Sequence, residues 1–407
     1  MKSQIYEALG YPRSNRISYF NRLKTETCNK NYPLRYGGEN LLLPVFEIPL
    51  SRPIYRMDNI RTLNAHKEYL ENHPELKKDF FLDVDDVNVQ KVQEGLLSLM
   101  AKEANLYNAF AKGLLPNVPL ILSDDGVVID GNRRLCVYRT LYSSNPQKYK
   151  YLKTVKVALL PDHNPSLLHE LEQELQMANS LKAKYHWYDE AYSYILDYES
   201  NGISYEETAS RLRIQNSSLI PNLVECYRYG EKYLNLIGRK NQWSLLDHQE
   251  TVLLHLVKGR KKLDSIPEKA IYERLVFALM FMDGEKENGS IVKNVDYLFK
   301  NKQIITEELC RFFSIQAKNE SLLLAKSLNE MILDKLGILI LSILQEIKDA
   351  ENGKENHYHL RTQLKKADKI LSDLITSQYG EQNTDHLNEL LDNMEESIRA
   401  IRSLFSK

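Results

Sequence analysis

The sequence predicts an α+β protein in which a small mixed α/β domain is followed by a mostly helical middle and C-terminal region. Three observations support this fold class. Residues 118–160 alternate short apolar runs with turn signals. From Pro165 onward, apolar residues recur at spacings of three and four, which is typical of helices. Near the C-terminus this spacing becomes a heptad pattern, which indicates a coiled coil.

The composition is that of a globular chain without a global attraction to anions. The 407 residues are 43% hydrophobic and 27% charged, enough for two or three domains with their own cores. Lys and Arg number 54 against 55 Asp and Glu, so any affinity for nucleic acid has to come from local patches. The four cysteines are too far apart for a zinc site or a disulfide framework, which favours the reducing cytoplasm. We expect no signal peptide and no membrane span, since the most apolar run covers only residues 336–344.

The first 165 residues divide into an irregular segment and an α/β domain. Residues 1–44 are expected to be irregular, because three prolines and a Gly-Gly pair interrupt them. The domain covers residues 45–165 and opens with a short strand and a loop at 44–56. Residues 63–115 carry apolar side chains at helical spacing and predict a helical insertion in this domain.

The centre of the domain has the predicted order strand, turn, strand, helix, strand. The stretch "VPLILSDDGVVIDG" predicts two strands joined at Asp125-Gly126, because Asp-Gly between apolar runs favours a hairpin. The stretch "RRLCVYRTLY" then predicts a helix, and "TVKVALL" at 154–160 predicts a further strand that ends at Pro161.

The remaining chain is predicted to be helical throughout. Residues 166–240 form a helix-turn-helix-like domain in which Gly202 and Gly230 end helices. Residues 241–407 form an all-helical region. Its apolar heptads lie on both sides of a turn at 380–383, which predicts an antiparallel coiled-coil hairpin and self-association through these C-terminal helices.

The stretch "DGNRR", residues 130–134, predicts a phosphate site where a strand turns into a helix. Gly131 permits a tight turn, and Asn132 is suited either to cap the helix or to adopt left-handed geometry. The first helix amides and the guanidinium groups of Arg133 and Arg134 would together donate to phosphate oxygens. Alternatively, one arginine pairs with an aspartate and the other lies on the surface. The candidate aspartates are Asp124, Asp125 and Asp130.

The stretch "LPNVPLILSDDGVVIDGNRRLCVYRTL" resembles the core of the ParB N-terminal fold, which is shared with sulfiredoxin. In that family a Gly-Glu-Arg-Arg box at the start of a helix cradles a nucleoside triphosphate, and a Glu-Asn-x-Gln-Arg box follows. Here "GNRR" and "ANSLKAKYHWYDEA" (178–191) stand in the matching places, within a resemblance that covers residues 45–230. The resemblance implies CTP or another nucleoside triphosphate with Mg²⁺ as the ligand. It implies contacts from Gly131, Asn132, Arg133, Arg134, Asn179 and Lys182.

Two departures from the family boxes limit what the resemblance implies about chemistry. Asn132 replaces the glutamate of the first box, and Ala178 replaces that of the second. Because Mg²⁺ prefers carboxylate oxygen, Ala178 removes the ligand on which hydrolysis of the usual kind depends. Asp130 is the remaining candidate for a catalytic acid or metal ligand, and we predict no metal site built from protein side chains alone.

The stretch "SYEETASRLRIQNSSLIPNLVECY" has the rhythm of a helix-turn-helix, a unit that ParB-like proteins carry directly after the nucleotide domain. Two features oppose DNA reading: Arg213 stands where glycine usually takes the left-handed turn, and Pro221 is expected to kink the second helix. Either the unit contacts double-stranded DNA or it is a helical hairpin that only packs. The predicted DNA contacts are Arg211, Arg213, Asn216, Ser217 and Ser218.

The sequence therefore favours a nucleotide-dependent DNA-binding protein with a role in DNA partitioning, regulation or defence against foreign DNA. Two alternatives stay open. One is a metal-dependent nuclease or phosphotransferase on the same fold, with Asp130 in the reaction. The other is a non-enzymatic adaptor whose helices bind a partner protein. These patterns leave open whether the protein is an enzyme; an NTPase and a nuclease are the two candidate activities.

Overall fold

A computed structural model describes residues 13–26, 28, 30–162, 164–178, 186–216, 218–283, 289–315 and 320–351. The chain divides into two compact units, residues 1–341 and 342–407. The first unit contains a six-stranded mixed sheet and many helices, so the predicted α+β class is confirmed. The predicted C-terminal hairpin on both sides of 380–383 lies outside the described residues.

The sheet has the strand order β1-β2-β6-β4-β5-β3. Its strands are β1 (Asn31–Tyr36), β2 (Glu39–Pro49), β3 (Ile54–Tyr55), β4 (Leu120–Leu122), β5 (Val127–Asp130) and β6 (Thr154–Leu159). Strand β2 runs antiparallel to β1 and β6, and β4 runs antiparallel to β5. Two pairs are parallel, β4 with β6 and β3 with β5. The predicted hairpin at Asp125-Gly126 is confirmed, with Gly126 at a φ of +92°.

Helices fill most of the remaining chain. Those up to residue 201 are α1 (Arg13–Lys24), α2 (Ile60–Asn72), α3 (Val87–Glu103), α4 (Leu106–Ala111), α5 (Asn132–Ser144), α6 (Pro165–Ala178) and α7 (Trp187–Asn201). Those that follow are α8 (Tyr205–Arg211), α9 (Leu219–Leu236), α10 (Glu250–Arg260), α11 (Ile266–Asp283), α12 (Gly289–Lys300), α13 (Lys302–Phe312), α14 (Glu320–Glu330) and α15 (Leu333–Glu351). Short 3₁₀ helices lie at Phe80–Leu82, Lys150–Leu152 and Trp243–Leu246. Within the described ranges, none of these helices has both the length and the apolar character that crossing a bilayer requires.

The prediction of an irregular segment at residues 1–44 was wrong for the part that the structure describes, which begins at residue 13. Helix α1 and strand β1 lie within it, and β2 begins there. The pair Gly37-Gly38 forms a two-residue hairpin loop between paired strands, and both glycines have the positive φ that such a loop requires. Arg16 fixes α1 to the domain, because its buried guanidinium pairs with Asp85 and Asp125 at 2.9 Å each. Strand β1 lies at the edge of the sheet and pairs with one neighbour, β2. A proline is tolerated in such a strand because no second strand needs a hydrogen bond from its missing N–H, and Pro33 therefore does not break β1.

The alternation of strand side chains gives the sheet two buried faces. Leu120, Leu122 and Val128 point to one face, where α1, α3 and α5 supply the apolar partners. Ile121 and Ile129 point to the other face, which α6 covers. The sheet is therefore the middle layer between helices, and its strand ends are the places where the connecting loops meet.

Two details of the predicted helices differ from the structure. The insertion at 63–115 is helical as predicted, but it is broken into α2, a 3₁₀ turn, α3 and α4, with Asn105 in left-handed geometry before α4. Gly202 ends α7 at a φ of +67°, as predicted. Gly230, in contrast, lies inside α9, where a Cβ would come within 2.9 Å of Leu246. The helix needs glycine at that position for close packing and does not end there.

Candidate functional site

Two helices begin side by side at one edge of the sheet. Because β3 and β5 are parallel neighbours, their carboxyl ends point to the same edge, and α2 and α5 start just after them. The backbone N–H of Arg56 donates to Oδ1 of Asn132 at 3.1 Å and joins the two turns. Amino ends of helices carry unpaired amides and a positive partial charge, and ligands of α/β sheets bind beyond the carboxyl ends of strands. This pair of amino ends is the candidate functional site.

Gly131 and Asn132 shape the turn from β5 into α5. Gly131 has a φ of +106°, and a Cβ there would come within 2.4 Å of Leu120, so the turn requires glycine as predicted. Asn132 is buried, accepts from Arg56 and donates from Nδ2 to the carbonyl of Val128 at 2.9 Å. The predicted capping role of Asn132 was therefore wrong, since its side chain ties two strand ends together and the cap position belongs to Gly131.

Arg134 is turned inward, contrary to the prediction that it faces a phosphate. Its Nη1 donates to the carbonyl of Val118 at 2.7 Å, and its Nη2 donates to the carbonyl of Pro119 at 3.3 Å. Nη2 also forms an ion pair with Oδ2 of Asp130 at 3.0 Å, and the side chain is only 12% exposed. The alternative in which one arginine of the pair binds an aspartate thus holds for Arg134. Its neighbour Arg133 is half-buried.

The same ion pair removes the basis for a catalytic role of Asp130. A carboxylate paired with a mostly buried arginine is held in one orientation and is less available to approach a metal or a substrate. In the described part of the chain, no group of three or more His, Cys, Asp or Glu side chains is arranged to hold a metal ion.

Arg56 brings a buried positive charge to the site, and the chain itself supplies its anions. The guanidinium of Arg56 is 3% exposed and donates from Nη1 to Oε2 of Glu172 at 3.1 Å. Its Nε and Nη2 donate to the carboxylate of Asp58 at 2.6 and 3.1 Å. The other oxygen of Glu172 accepts from the backbone N–H of Ile60 at 3.0 Å, in the first turn of α2. The Glu172 carboxylate therefore occupies the position at this amino end that an anionic ligand would take.

Burial governs the electrostatics of Glu172. Loss of hydration raises the pKa of this carboxyl above its usual range, while the charges of Arg56 and His169 and the bond from Ile60 act in the opposite direction. Because these effects oppose one another, displacing the Glu172 carboxylate from its donors should require less free energy than displacing a carboxylate whose pKa is strongly lowered. The arrangement is a filled anion site whose occupant is attached to a separate helix, α6.

Arg56 and Glu172 were not among the predicted site residues. Arg56 lies at the end of the stretch 44–56, which the sequence predicted only as a short strand and a loop. Glu172 carried no signal, because it is one of several glutamates in "HELEQEL" and its partner lies 116 residues away in the chain. The predicted contacts Asn179 and Lys182 lie outside the described residues.

The predicted DNA-binding unit has a mixed outcome. Helices α8 and α9 and the turn between them are present, and Arg213 in that turn has a φ of +56°, as its left-handed position predicted. Arg213, Asn216 and Ser218 are exposed, with Oδ1 of Asn216 accepting from the N–H and hydroxyl of Ser218. Ser217 lies outside the described residues. The expected kink at Pro221 was wrong, because this proline is in the first turn of α9, where its missing N–H has no helical partner to lose.

Arg211 does not face DNA, contrary to the prediction. Its Nη2 donates to Oδ2 of the fully buried Asp197 at 2.7 Å and also to the side chain of Gln173. Burial alone would raise the pKa of Asp197, but His169, Gln173 and Arg211 stabilise its charged form and lower the pKa below the usual range. Arg211 is thus a structural ion-pair partner that attaches α8 to α6 and α7.

Comparison with known proteins adds no family assignment. A scan against models of protein families finds none that matches this chain, and a search among curated proteins finds no significantly similar sequence.

Proposed function

We propose that the protein is a ParB-like nucleotide-binding protein of the cytoplasm that associates with double-stranded DNA. Its nucleotide, CTP or another nucleoside triphosphate, binds with its phosphates at the amino ends of α2 and α5. The observation that carries this proposal is the bond from Arg56 N–H to Asn132, which places two helix amino ends beside one buried guanidinium. The free thiols of all four cysteines suit a reducing compartment.

Phosphate binding at this site is an exchange of one anion for another. The backbone N–H of Ile60 and the guanidinium of Arg56 hold the carboxylate of Glu172, and a phosphate oxygen would take over these donors. Arg133, in the first turn of α5, adds a second guanidinium, whereas Arg134 keeps its structural bonds. Mg²⁺ bound with the nucleotide would be held by phosphate oxygens and water, which are ligands that it commonly uses.

Helix α6 provides a route from the nucleotide to the DNA-contacting unit. Glu172 faces the amino end of α2, and the next residue, Gln173, bonds with Asp197 on α7 and with Arg211 at the end of α8. Displacement of Glu172 would move α6, and the contacts of Gln173 would carry that movement to α8. The surface offered to DNA is the turn after α8, with Arg213, Asn216 and Ser218.

Isothermal titration calorimetry with a panel of nucleoside triphosphates, with and without Mg²⁺, tests the proposal. We expect wild type to bind a nucleotide. Glu172→Gln should bind it about tenfold more tightly, a gain of about 1.4 kcal/mol in binding free energy, because the amide removes the negative charge that competes with the phosphates. Glu170→Gln is the matched control, since Glu170 lies on the same helix but makes no contact with Arg56 or Ile60 among the bonds described. If neither wild type nor Glu172→Gln binds any nucleotide below millimolar concentration, the adaptor alternative replaces this proposal.

A further inference from the structure

A separate hollow of about 250 Å³ lies between α2, α3, the start of α7 and the 3₁₀ helix Trp243–Leu246. Neither Arg56 nor any residue of α5 lines it, so it is distinct from the proposed nucleotide site. Helix α3 supplies an apolar wall made of Leu96, Leu99 and Met100. The other walls carry charged and polar side chains, which makes the hollow amphipathic.

Two groups at this hollow have incomplete hydrogen bonding: Asp189, and the indole Nε1 of Trp243, which is buried without a partner among the described residues. Asp189 is 2% exposed, and its Oδ1 accepts from Nδ2 of Asn64 at 2.8 Å. Its second carboxylate oxygen, Oδ2, receives no hydrogen bond from the residues that the structure describes, although Asp189 lines the hollow. A ligand with an N–H group in the hollow would supply a donor to this oxygen.

The other two carboxylates of the hollow already have donors. Asp247 accepts from the hydroxyl of Tyr188 at 2.7 Å and lies 3.1 Å from Nδ1 of His186. Glu68 accepts from the hydroxyl of Ser244 at 2.6 Å and from its backbone N–H at 3.2 Å. Among the described lining residues, three carboxylates against Arg61 make the hollow acidic, so it favours cations over anions.

We propose that this hollow binds a small organic cation, an amine or amidinium with a short apolar body, whose N–H group donates to Oδ2 of Asp189. The apolar body would lie against Leu96, Leu99 and Met100, where it displaces water from carbon surface. The volume admits a molecule of roughly ten heavy atoms and is below the usual range for drug-sized ligands. It is too small and of the wrong charge for a nucleoside triphosphate.

Calorimetry with benzamidine at pH 8 tests this inference on the full chain, with benzyl alcohol and benzoate as neutral and anionic probes of similar size. We expect benzamidine to bind at least about tenfold more tightly than benzyl alcohol, and benzoate not to bind. Asp189→Asn should lose at least about tenfold in benzamidine affinity. Glu190→Gln is the matched control, because the neighbouring Glu190 accepts from the hydroxyl of Tyr194 and does not line the hollow.

The affinity should also fall as the solution is acidified below pH 7. Burial raises the pKa of Asp189 to about 7, so a cation meets a neutral carboxyl at lower pH. The titratable groups around Asp189 are Arg61, Lys67 and Glu68 on α2, His186 and Tyr188 beside it, Asp247 after the 3₁₀ helix, and Tyr227 on α9. Because Nδ1 of His186 lies 3.1 Å from Asp247, His186→Asn tests whether this imidazole contributes to the pH dependence. The pH dependence should persist in that variant.

A second variant, at the rim of the hollow, keeps the inference testable if Asp189→Asn does not fold. Leu99 is largely exposed and lines the hollow, so Leu99→Arg should place a positive charge there without disturbing the core. We expect it to abolish benzamidine binding. Equal affinity for benzamidine and benzyl alcohol, or full binding by both Leu99→Arg and a folded Asp189→Asn, would overturn the inference.

Discussion

At the residue scale, two adjacent arginines at the start of α5 have different surroundings. Arg134 folds back over Gly131, where a Cβ would come within 2.9 Å of its Nη2, and it binds two carbonyls and Asp130. Three fixed acceptors suit a planar guanidinium with several donors and do not suit a lysine ammonium. Arg134 is therefore part of the structure that supports the site, and its contribution is to stability.

Replacing Arg134 by Ala should lower the free energy of unfolding by about 2 to 4 kcal/mol. The change leaves the partly buried carboxylate of Asp130 and carbonyl of Pro119 without their donors, and it also removes the bond to the exposed Val118. Chemical denaturation measures the effect, and the exposed Arg35→Ala in strand β1 should change stability by less than about 0.5 kcal/mol. Wild-type stability in Arg134→Ala would mean that these bonds contribute nothing to folding.

At the scale of elements, the unit α8–turn–α9 shows why a helical pattern does not specify a DNA surface. Arg211 and Arg213 are two residues apart, yet one binds the buried Asp197 and the other is exposed in a left-handed turn. Residues two apart do not share a face of a helix, and the turn increases their divergence. The charge available to DNA is thus smaller than the local composition suggests.

A gel-shift assay on duplex DNA at two salt concentrations separates the roles of these two arginines. Arg213→Ala should weaken binding and reduce its salt dependence by about one released counterion, because it removes one phosphate contact without affecting folding. Arg211→Ala should instead destabilise the protein by about 3 kcal/mol, since it leaves the charge of Asp197 buried with fewer partners. Unchanged DNA binding in Arg213→Ala would favour the view that this unit only packs.

At the scale of the whole molecule, two buried groups give the folded state opposite responses to pH. Burial lowers the pKa of His66 to about 4, and the imidazole bonds to Gln93 and stacks on Phe81. Burial raises the pKa of Asp189 to about 7. The folded pKa of His66 is below its unfolded value, so its stabilisation is present above pH 6.5 and is lost toward pH 4. The folded pKa of Asp189 is above its unfolded value, so its contribution is greatest below pH 4 and is lost as pH rises to 7.

Denaturation of variants between pH 4 and 7 should reveal these two contributions. The stability of His66→Gln relative to wild type should fall as pH rises from 4 to 6.5, because only wild type gains from the neutral imidazole. The stability of Asp189→Asn relative to wild type should rise from pH 4 to 7, because the asparagine has no proton to lose. Each change should approach a few kcal/mol, at roughly 1.4 kcal/mol per unit of pKa difference. Differences that do not vary with pH would show that these groups have ordinary pKa values in the folded protein.

Most elements of the first unit were predictable because their signals are local. The Asp-Gly turn, the strand at 154–160, the helix after Gly131 and the helical stretch after Pro165 each depend on neighbours within a few residues. The N-terminal strands were missed for the same reason, since the prolines gave a stronger local signal than the alternation around Gly37-Gly38. An edge position in a sheet, which tolerates proline, is not visible in the local sequence.

The sequence by itself determined the α+β class, the turn at Gly131 and the presence of charged groups near it. Only the tertiary structure decided which of these charges face a ligand. Arg134 meets the carbonyl of Val118, Arg56 meets Glu172 and Arg211 meets Asp197, over separations of 16, 116 and 14 residues. The direction of a long charged side chain depends on where its partner is brought by folding, because the cost of a buried charge is relieved only by contact. The periodicity of apolar residues indicates which face of a helix or strand is buried, but it does not indicate which distant residues form ion pairs.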